Sequence, residues 1–129
     1  MQSKLKLSKG SSFKLDSLSS KLNLRRNIIC RLAIGRSLVD NSSVIEIEPL
    51  DNNGFEFNRY TLTGEHDNFF KLLIVQHEGK KMDDDLYFSK YLRNHIERGI
   101  EILYDEYQRI NSPTEFLLFL SSISEENPK

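Results

Sequence analysis

Apolar residues recur at helical spacing on both sides of a middle segment that alternates instead. Over 11–22, Leu15, Leu18 and Leu22 share a face, with Ser11 and Ser12 offering N-caps and Asn23 supplying the break. In "LNLRRNIICRLAIGRSL" (22–38), Ile28, Leu32, Ile29 and Ala33 form an apolar stripe, and Arg31 and Arg36 lie off it. Ahead of both, "KLKL" (4–7) alternates lysine and leucine as a short strand or extended arm does. The middle segment "VIEIEPLDNNGFEF" (44–57) alternates around Asn53-Gly54, a dipeptide suited to a tight hairpin turn, although Pro49 permits only an edge strand or a looser loop.

Beyond Gly64 the helical period returns. Thr63 is placed to cap a helix over 65–77, buried through Phe69, Phe70, Leu72, Leu73 and Val75 and stopped by Gly79. Asp83, Asp84 and Asp85 suit a helix start, where the aligned peptide dipoles favour negative charge. Leu92, Ile96, Leu103, Tyr107 and Ile110 then predict a long helix. Gly99 sits inside it, at a cost of about 1 kcal/mol relative to alanine, which points to close approach by another backbone. Ser112, Pro113 and Glu115 read as a capping box ahead of "FLLFL" (116–120), a run apolar enough to need cover from the domain or a second copy, and "SEENPK" reads as a frayed end. The expected fold is mainly α: a compact helical bundle with a short N-terminal extended arm and a small hairpin or loop at 44–58.

Composition adds bounds. With 129 residues, 38% apolar, the chain has the size of one domain. No apolar run approaches the length of a membrane span, and "MQSKLKLSKGSS" lacks the apolar core of a secretory signal. The expectation is a soluble, cytoplasmic protein, with which the single Cys30 agrees.

Charge changes the picture more. Residues 1–40 hold Lys4, Lys6, Lys9, Lys14, Lys21, Arg25, Arg26, Arg31 and Arg36 against Asp16 and Asp40, a net +7, while the remainder carries -8. Such a split points to a polyanion, nucleic acid first, facing those nine residues, and a basic arm meeting an acidic protein is the alternative. Arg25 and Arg26 are notable because they stand where a helix begins and the dipole is already positive. A phosphate docked between exposed amides and the two guanidinium groups would more than offset that penalty of about 0.3–1 kcal/mol per charge. The same logic places Lys9 and Lys14 around the Ser11 start. Contacts of this kind position a protein on the backbone of DNA without reading its bases.

Catalytic chemistry finds less support. His66, His77 and His95 are scattered along the chain and Cys30 stands alone, so no metal site is expected. Three consecutive aspartates on a helix point in different directions, and Cys30 among apolar neighbours reads as a packed thiol. There is no phosphate-cradling glycine loop.

Three stretches in order, "IICRLAIGRSL" (28–38), "FEFNRYTLTGEHDNFF" (55–70) and "YLRNHIERGIEILY" (91–104), resemble the DndE family, the small subunit of the bacterial machinery that replaces a non-bridging phosphate oxygen of DNA by sulfur. The resemblance spans about Lys4 to Ile110, with residues 58–65 ("NRYTLTGE") the most specific motif and His95 with Arg98-Gly99 in support. It implies a helical domain over 1–110; the C-terminal helix and tail over 111–129 lie outside the resemblance. It also implies a homo-oligomer, a tetramer by expectation, that associates with the DndC and DndD subunits and binds double-stranded DNA, nicked duplex preferentially. No catalysis and no cofactor are implied for this subunit. Relatives often open the second helix with Leu-Thr-Pro-Asn, where this chain has Leu24-Arg25-Arg26-Asn27. Glu65, Arg59, His95 and Arg98 have two readings: contacts to DNA or partners, or a buried ion pair of an arginine with Glu65 that fixes the fold. Rival functions are a ribbon-helix-helix regulator, whose strand would be "KLKL", and an assembly scaffold without DNA contact.

Overall fold

The computed structural model describes residues 3–110 and 112–126. In chain order it contains β1 (Lys4–Lys6), α1 (Lys9–Leu22), α2 (Arg26–Leu38), β2 (Glu56–Asn58), α3 (Arg59–Thr63), a 3-10 turn (Gly64–His66), α4 (Asp67–Glu78), α5 (Asp84–Leu86), a π-helical segment (Tyr87–Leu92), α6 (Arg93–Gln108) and α7 (Pro113–Glu126). This is the mainly α, compact single domain expected.

Its centre is the contact of α2 with α6. Ile29, Ala33 and Ile34 from α2 meet Ile96, Ile100 and Leu103 from α6, and Leu15, Leu18 and Leu22 of α1 join the same buried core. Gly99 lets the two helices touch, since a Cβ there would stand 1.9 Å from the Ala33 carbonyl oxygen. The buried face of α2 is Ile29, Cys30, Ala33, Ile34 and Ser37, so the expected stripe is rotated: Ile28 is half-buried and Leu32 is 38% exposed.

Helix starts follow capping chemistry, not always where expected. The Ser8 hydroxyl accepts from the Ser11 amide at 3.2 Å, so α1 begins before Ser11 and Ser12, which lie inside it. Asn23 ends α1 in the left-handed conformation (φ 58°). The Asn58 side chain accepts from the Tyr60 amide at 2.9 Å and opens α3, while Thr63 turns its hydroxyl to the Arg59 carbonyl and to Asp67. α4 therefore starts at Asp67; it ends at Gly79 (φ 72°) as expected. Of its apolar residues Ile74 is buried, Phe70, Leu73 and Val75 are half-buried, and Phe69 and Leu72 face outward. The Asp83 carboxylate accepts from the Leu86 amide at 2.8 Å, and the Ser112 hydroxyl from the Glu115 amide at 3.1 Å, so both read caps form. Phe116 is buried with its ring 5.4 Å from that of Tyr107, and Leu117 and Leu118 point outward. Of "SEENPK", 124–126 close α7, and 127–129 lie outside the described residues.

No hairpin forms around Asn53-Gly54. The looser loop precedes β2, which pairs antiparallel with β1 (Leu5 opposite Phe57), and Leu7 and Gly54 extend the ladder. A Cβ on Gly54 would lie 2.0 Å from Ser12 Oγ, so glycine serves close packing here rather than a positive φ. The strand of the ribbon-helix-helix reading is thus paired within its own chain.

Candidate nucleic-acid interface

The nine amino-terminal cations fall into two groups. Lys4, Lys6, Lys9, Lys21, Arg25 and Arg26 are exposed, and Lys14, Arg31 and Arg36 are half-buried. Several meet partners inside the fold. Arg36 clamps Glu106 through Nε and Nη2, at 3.0 and 2.5 Å from Oε2. Lys14 Nζ lies 2.6 Å from Glu101, and Lys4 Nζ 3.5 Å from Glu56 across the β ladder. Arg31 donates to the carbonyls of Leu62 (2.8 Å) and Thr61 (3.4 Å), tying α2 to α3. Part of the +7 segment therefore joins the acidic remainder of the same chain.

The two helix starts differ. At α1 the Ser8 amide and the hydroxyls of Ser8 and Ser11 all donate to the buried Glu97 carboxylate, at 2.7, 2.9 and 2.5 Å. That carboxylate holds the place the sequence reading assigns to a phosphate beside Lys9 and Lys14. At α2 no side chain caps the helix: Arg25 is the N-cap residue, its carbonyl accepting from the amides of Ile28 and Ile29. A shallow hollow here is lined by Asp16, Ser19, Ser20, Arg25, Arg26, Asn27, Phe57 and Thr61. A second, lined by Lys9, Ser12, Phe13, Asp16, Asn53, Gly54 and Phe55, shares Asp16 with it. Arg26 bridges them, 2.8 Å from Asp16 and with its guanidinium 4.0 Å over the Phe55 ring. Lys9 and Phe13 thus line one hollow and Arg25 and Arg26 the adjoining one, the two meeting at Asp16.

The invited ion pairs with Glu65 do not form among the described residues. Arg59 instead lies between Asp67 and Asp84, at 2.7 Å from each and 4.7 Å over the Phe88 ring. It holds the Asp84 carboxyl down at about 2. Arg98 donates to Ser37 Oγ (2.8 Å) and to the carbonyls of Ser37 and Ser42 (2.9 Å each), closing the turn after α2. Both arginines hold the fold together. Cys30 is fully buried, and burial pushes its thiol up and away from reactivity.

The expectation of scattered histidines needs correction. His77, at the end of α4, and His95, in α6, place their rings 4.9 Å apart with Glu78 between their nitrogens. Burial pushes the His95 imidazole down to about 4. For Glu78, burial acts to raise the carboxyl, but hydrogen bonds from the Ser43 hydroxyl and the Val44 amide, with the two imidazoles beside it, outweigh it and hold the group below its ordinary value. No local spacing announces this cluster, because its two histidines come from different helices.

The family model described as DNA sulphur modification protein DndE matches residues 4–111 of the chain. The chain belongs to the DndE family. Two crystal structures have the same fold. One, DndE from Escherichia coli B7A, involved in DNA phosphorothioation modification, superposes with a TM-score of 0.61 at 23% identity, over 80% of this chain and 98% of that one. The other, a DndE variant with two glycine-to-lysine substitutions involved in DNA phosphorothioation, has the same TM-score and identity over 81% and 99%. No curated protein matches in sequence. The DndE fold thus covers β1 through α6, and among the described residues no helix is long and apolar enough to cross a membrane.

Proposed function

We propose that this DndE-family chain is a non-catalytic, cytoplasmic DNA-binding subunit that holds duplex DNA, nicked duplex preferentially, while partner subunits insert sulfur. The observation that carries the reading is the exposed Arg25 at the uncapped start of α2, beside Arg26 and in the hollow adjoining that of Lys9 and Phe13. A helix start of this kind offers amides and dipole to a phosphate, and the arginine adds forked donors. Lys6 and Lys21 extend the exposed set, and Lys4, Lys14, Arg31 and Arg36 support it through the field they add.

In the same reading the DndE domain over 1–110, with the helix and tail of 111–129 appended, assembles as a homo-oligomer, a tetramer, and joins DndC and DndD. Phe69 and Leu72 on α4 and Leu117 and Leu118 on α7 supply exposed apolar area for such contacts. Repeating the basic surface on a closed assembly turns a weak site into a multivalent one.

Binding of the whole chain to nicked and intact duplexes of unrelated sequence, titrated with salt, tests the proposal. If four to six phosphates are contacted, log K falls against log salt with a slope of about -4 to -5. A flat titration leaves the assembly-scaffold reading in its place.

A further inference from the structure

His77 Nε2 lies 2.6 Å from the Asp40 carbonyl oxygen. A carbonyl only accepts, so this nitrogen carries the hydrogen. The other nitrogen, Nδ1, lies 3.1 Å from Glu78 Oε2. A neutral imidazole with its hydrogen on Nε2 presents a bare lone pair at Nδ1, here aimed at a carboxylate oxygen. Two electron-rich atoms at that distance need a positive charge between them. The same oxygen lies 3.1 Å from His95 Nε2, and the three donor atoms all lie within 4.8 Å of one another.

We propose that His77 Nδ1, Glu78 Oε2 and His95 Nε2 bind one zinc-class divalent ion that ties the end of α4 to α6. Zinc bonds to imidazole nitrogen and carboxylate oxygen are about 2.0–2.2 Å long, so a tetrahedral pair of them spans about 3.3–3.6 Å, close to the two 3.1 Å separations. The surroundings have the outer-shell character of a metal site, in which each ligand is itself anchored. The outer nitrogen of His77 is fixed on the Asp40 carbonyl, and that of His95 on Ser37 Oγ at 2.8 Å, a hydroxyl that Arg98 holds from its far side. The second carboxylate oxygen of Glu78 accepts from the Ser43 hydroxyl. The charge of Arg98 is met by the Asp40 carboxylate at 3.8 Å. The ligand side chains are 9%, 1% and 0% exposed, so the ion lies inside the fold and pins α4 and the turn after α2 onto the central helix. With three protein donors, a water completes the tetrahedron.

The test uses the full chain stripped by a chelator and titrated with zinc chloride in a calorimeter. One ion per chain is expected, with the melting temperature raised by about 10 °C at a hundredfold excess over Kd. Cobalt(II) in its place gives the intense visible bands of a four-coordinate site. His77→Gln keeps a donor for the Asp40 carbonyl and lowers zinc affinity at least about tenfold, whereas His66→Gln, on the exposed turn before α4, leaves it unchanged. A stripped chain that takes up no zinc overturns the proposal and leaves a second proton on His77 as the bridging charge. Zinc held as tightly by His77→Gln as by the parent also overturns it, by placing the ion elsewhere.

Discussion

Gly99 of α6 lies against Ala33 of α2 so closely that a Cβ on the glycine would stand 1.9 Å from the Ala33 carbonyl oxygen and 2.7 Å from its Cα. The obstacle is backbone, which cannot rotate aside. Gly99→Ala gains about 1 kcal/mol of helix propensity but must push the two central helices apart, and overpacking of this kind costs about 1–3 kcal/mol or more. The expected net result is a loss of about 2 kcal/mol, read as a lower urea midpoint at unchanged slope. A variant as stable as the parent would show that α2 and α6 separate at no cost.

Glu97 stabilises α1 from a different helix. Three donors of the Ser8–Ser11 turn converge on its carboxylate, and the residue is 8% exposed. Glu97→Ala strands those donors in a site water reaches poorly, and each stranded group costs about 1–3 kcal/mol. We expect Glu97→Ala to lose about 3 kcal/mol and Glu97→Gln, which keeps one acceptor, about half of that. Amide hydrogen exchange should show the loss first in α1.

What the sequence announced was what depends on short spacing. Leu15, Leu18 and Leu22, the αL break at Asn23, the stop at Gly79 and the Asp83 and Ser112 caps are set by residues within a turn or two, and Gly99 was legible because a glycine inside a helical period is itself a local anomaly. Some failures were local, the Ser8 cap of α1 and the rotated stripe of α2 among them, but the larger ones concern long-range partners. Alternation marked β2 as a strand but could not say that it pairs with β1 rather than with its neighbour in sequence. Helical spacing of Phe69 and Leu72 implied burial, yet spacing gives a face and not what covers it. The buried acceptor for Ser8 lies 89 positions away and the acid beside His95 17 positions away, so neither leaves a local signature. Of the candidate interface the basic segment was legible, but not which of its cations the acidic remainder would engage.

Acid should loosen the fold around Arg59. The Asp84 carboxyl is held at about 2 against an ordinary 3.8, chiefly by hydrogen bonds from the Arg59 guanidinium. A carboxyl lowered by folding adds stability that is fully present above the ordinary value and is lost as pH falls through the folded one. Because Asp84 is one-third exposed, screening limits the effect to about 1 kcal/mol. Thermal unfolding of the parent should therefore drop between about pH 4 and pH 2 more than that of Asp84→Asn, with the two curves converging at the acid end.

The two groups of cations predict opposite phenotypes, which makes the interface testable without a structure of the complex. Arg25 is exposed and makes no ion pair among the described residues, and Lys9 is exposed on the adjoining hollow. Replacing both by glutamine removes charge from the surface without stranding a carboxylate, so stability should change by less than about 0.5 kcal/mol. If each cation meets one phosphate, the salt slope of DNA binding falls by about 2. Arg36 is 19% exposed and clamps Glu106, which is 12% exposed. Arg36→Ala leaves that acid half-buried with its strongest partner gone, which costs about 1–3 kcal/mol, while the salt slope stays within about 1 of the parent because a clamped guanidinium neutralises no phosphate. Urea unfolding and salt-titrated binding on the same two variants give four numbers. Should Arg36→Ala flatten the salt dependence while the Lys9 and Arg25 replacement does not, the DNA would have to lie along α2 and its partner acid rather than over the start of that helix.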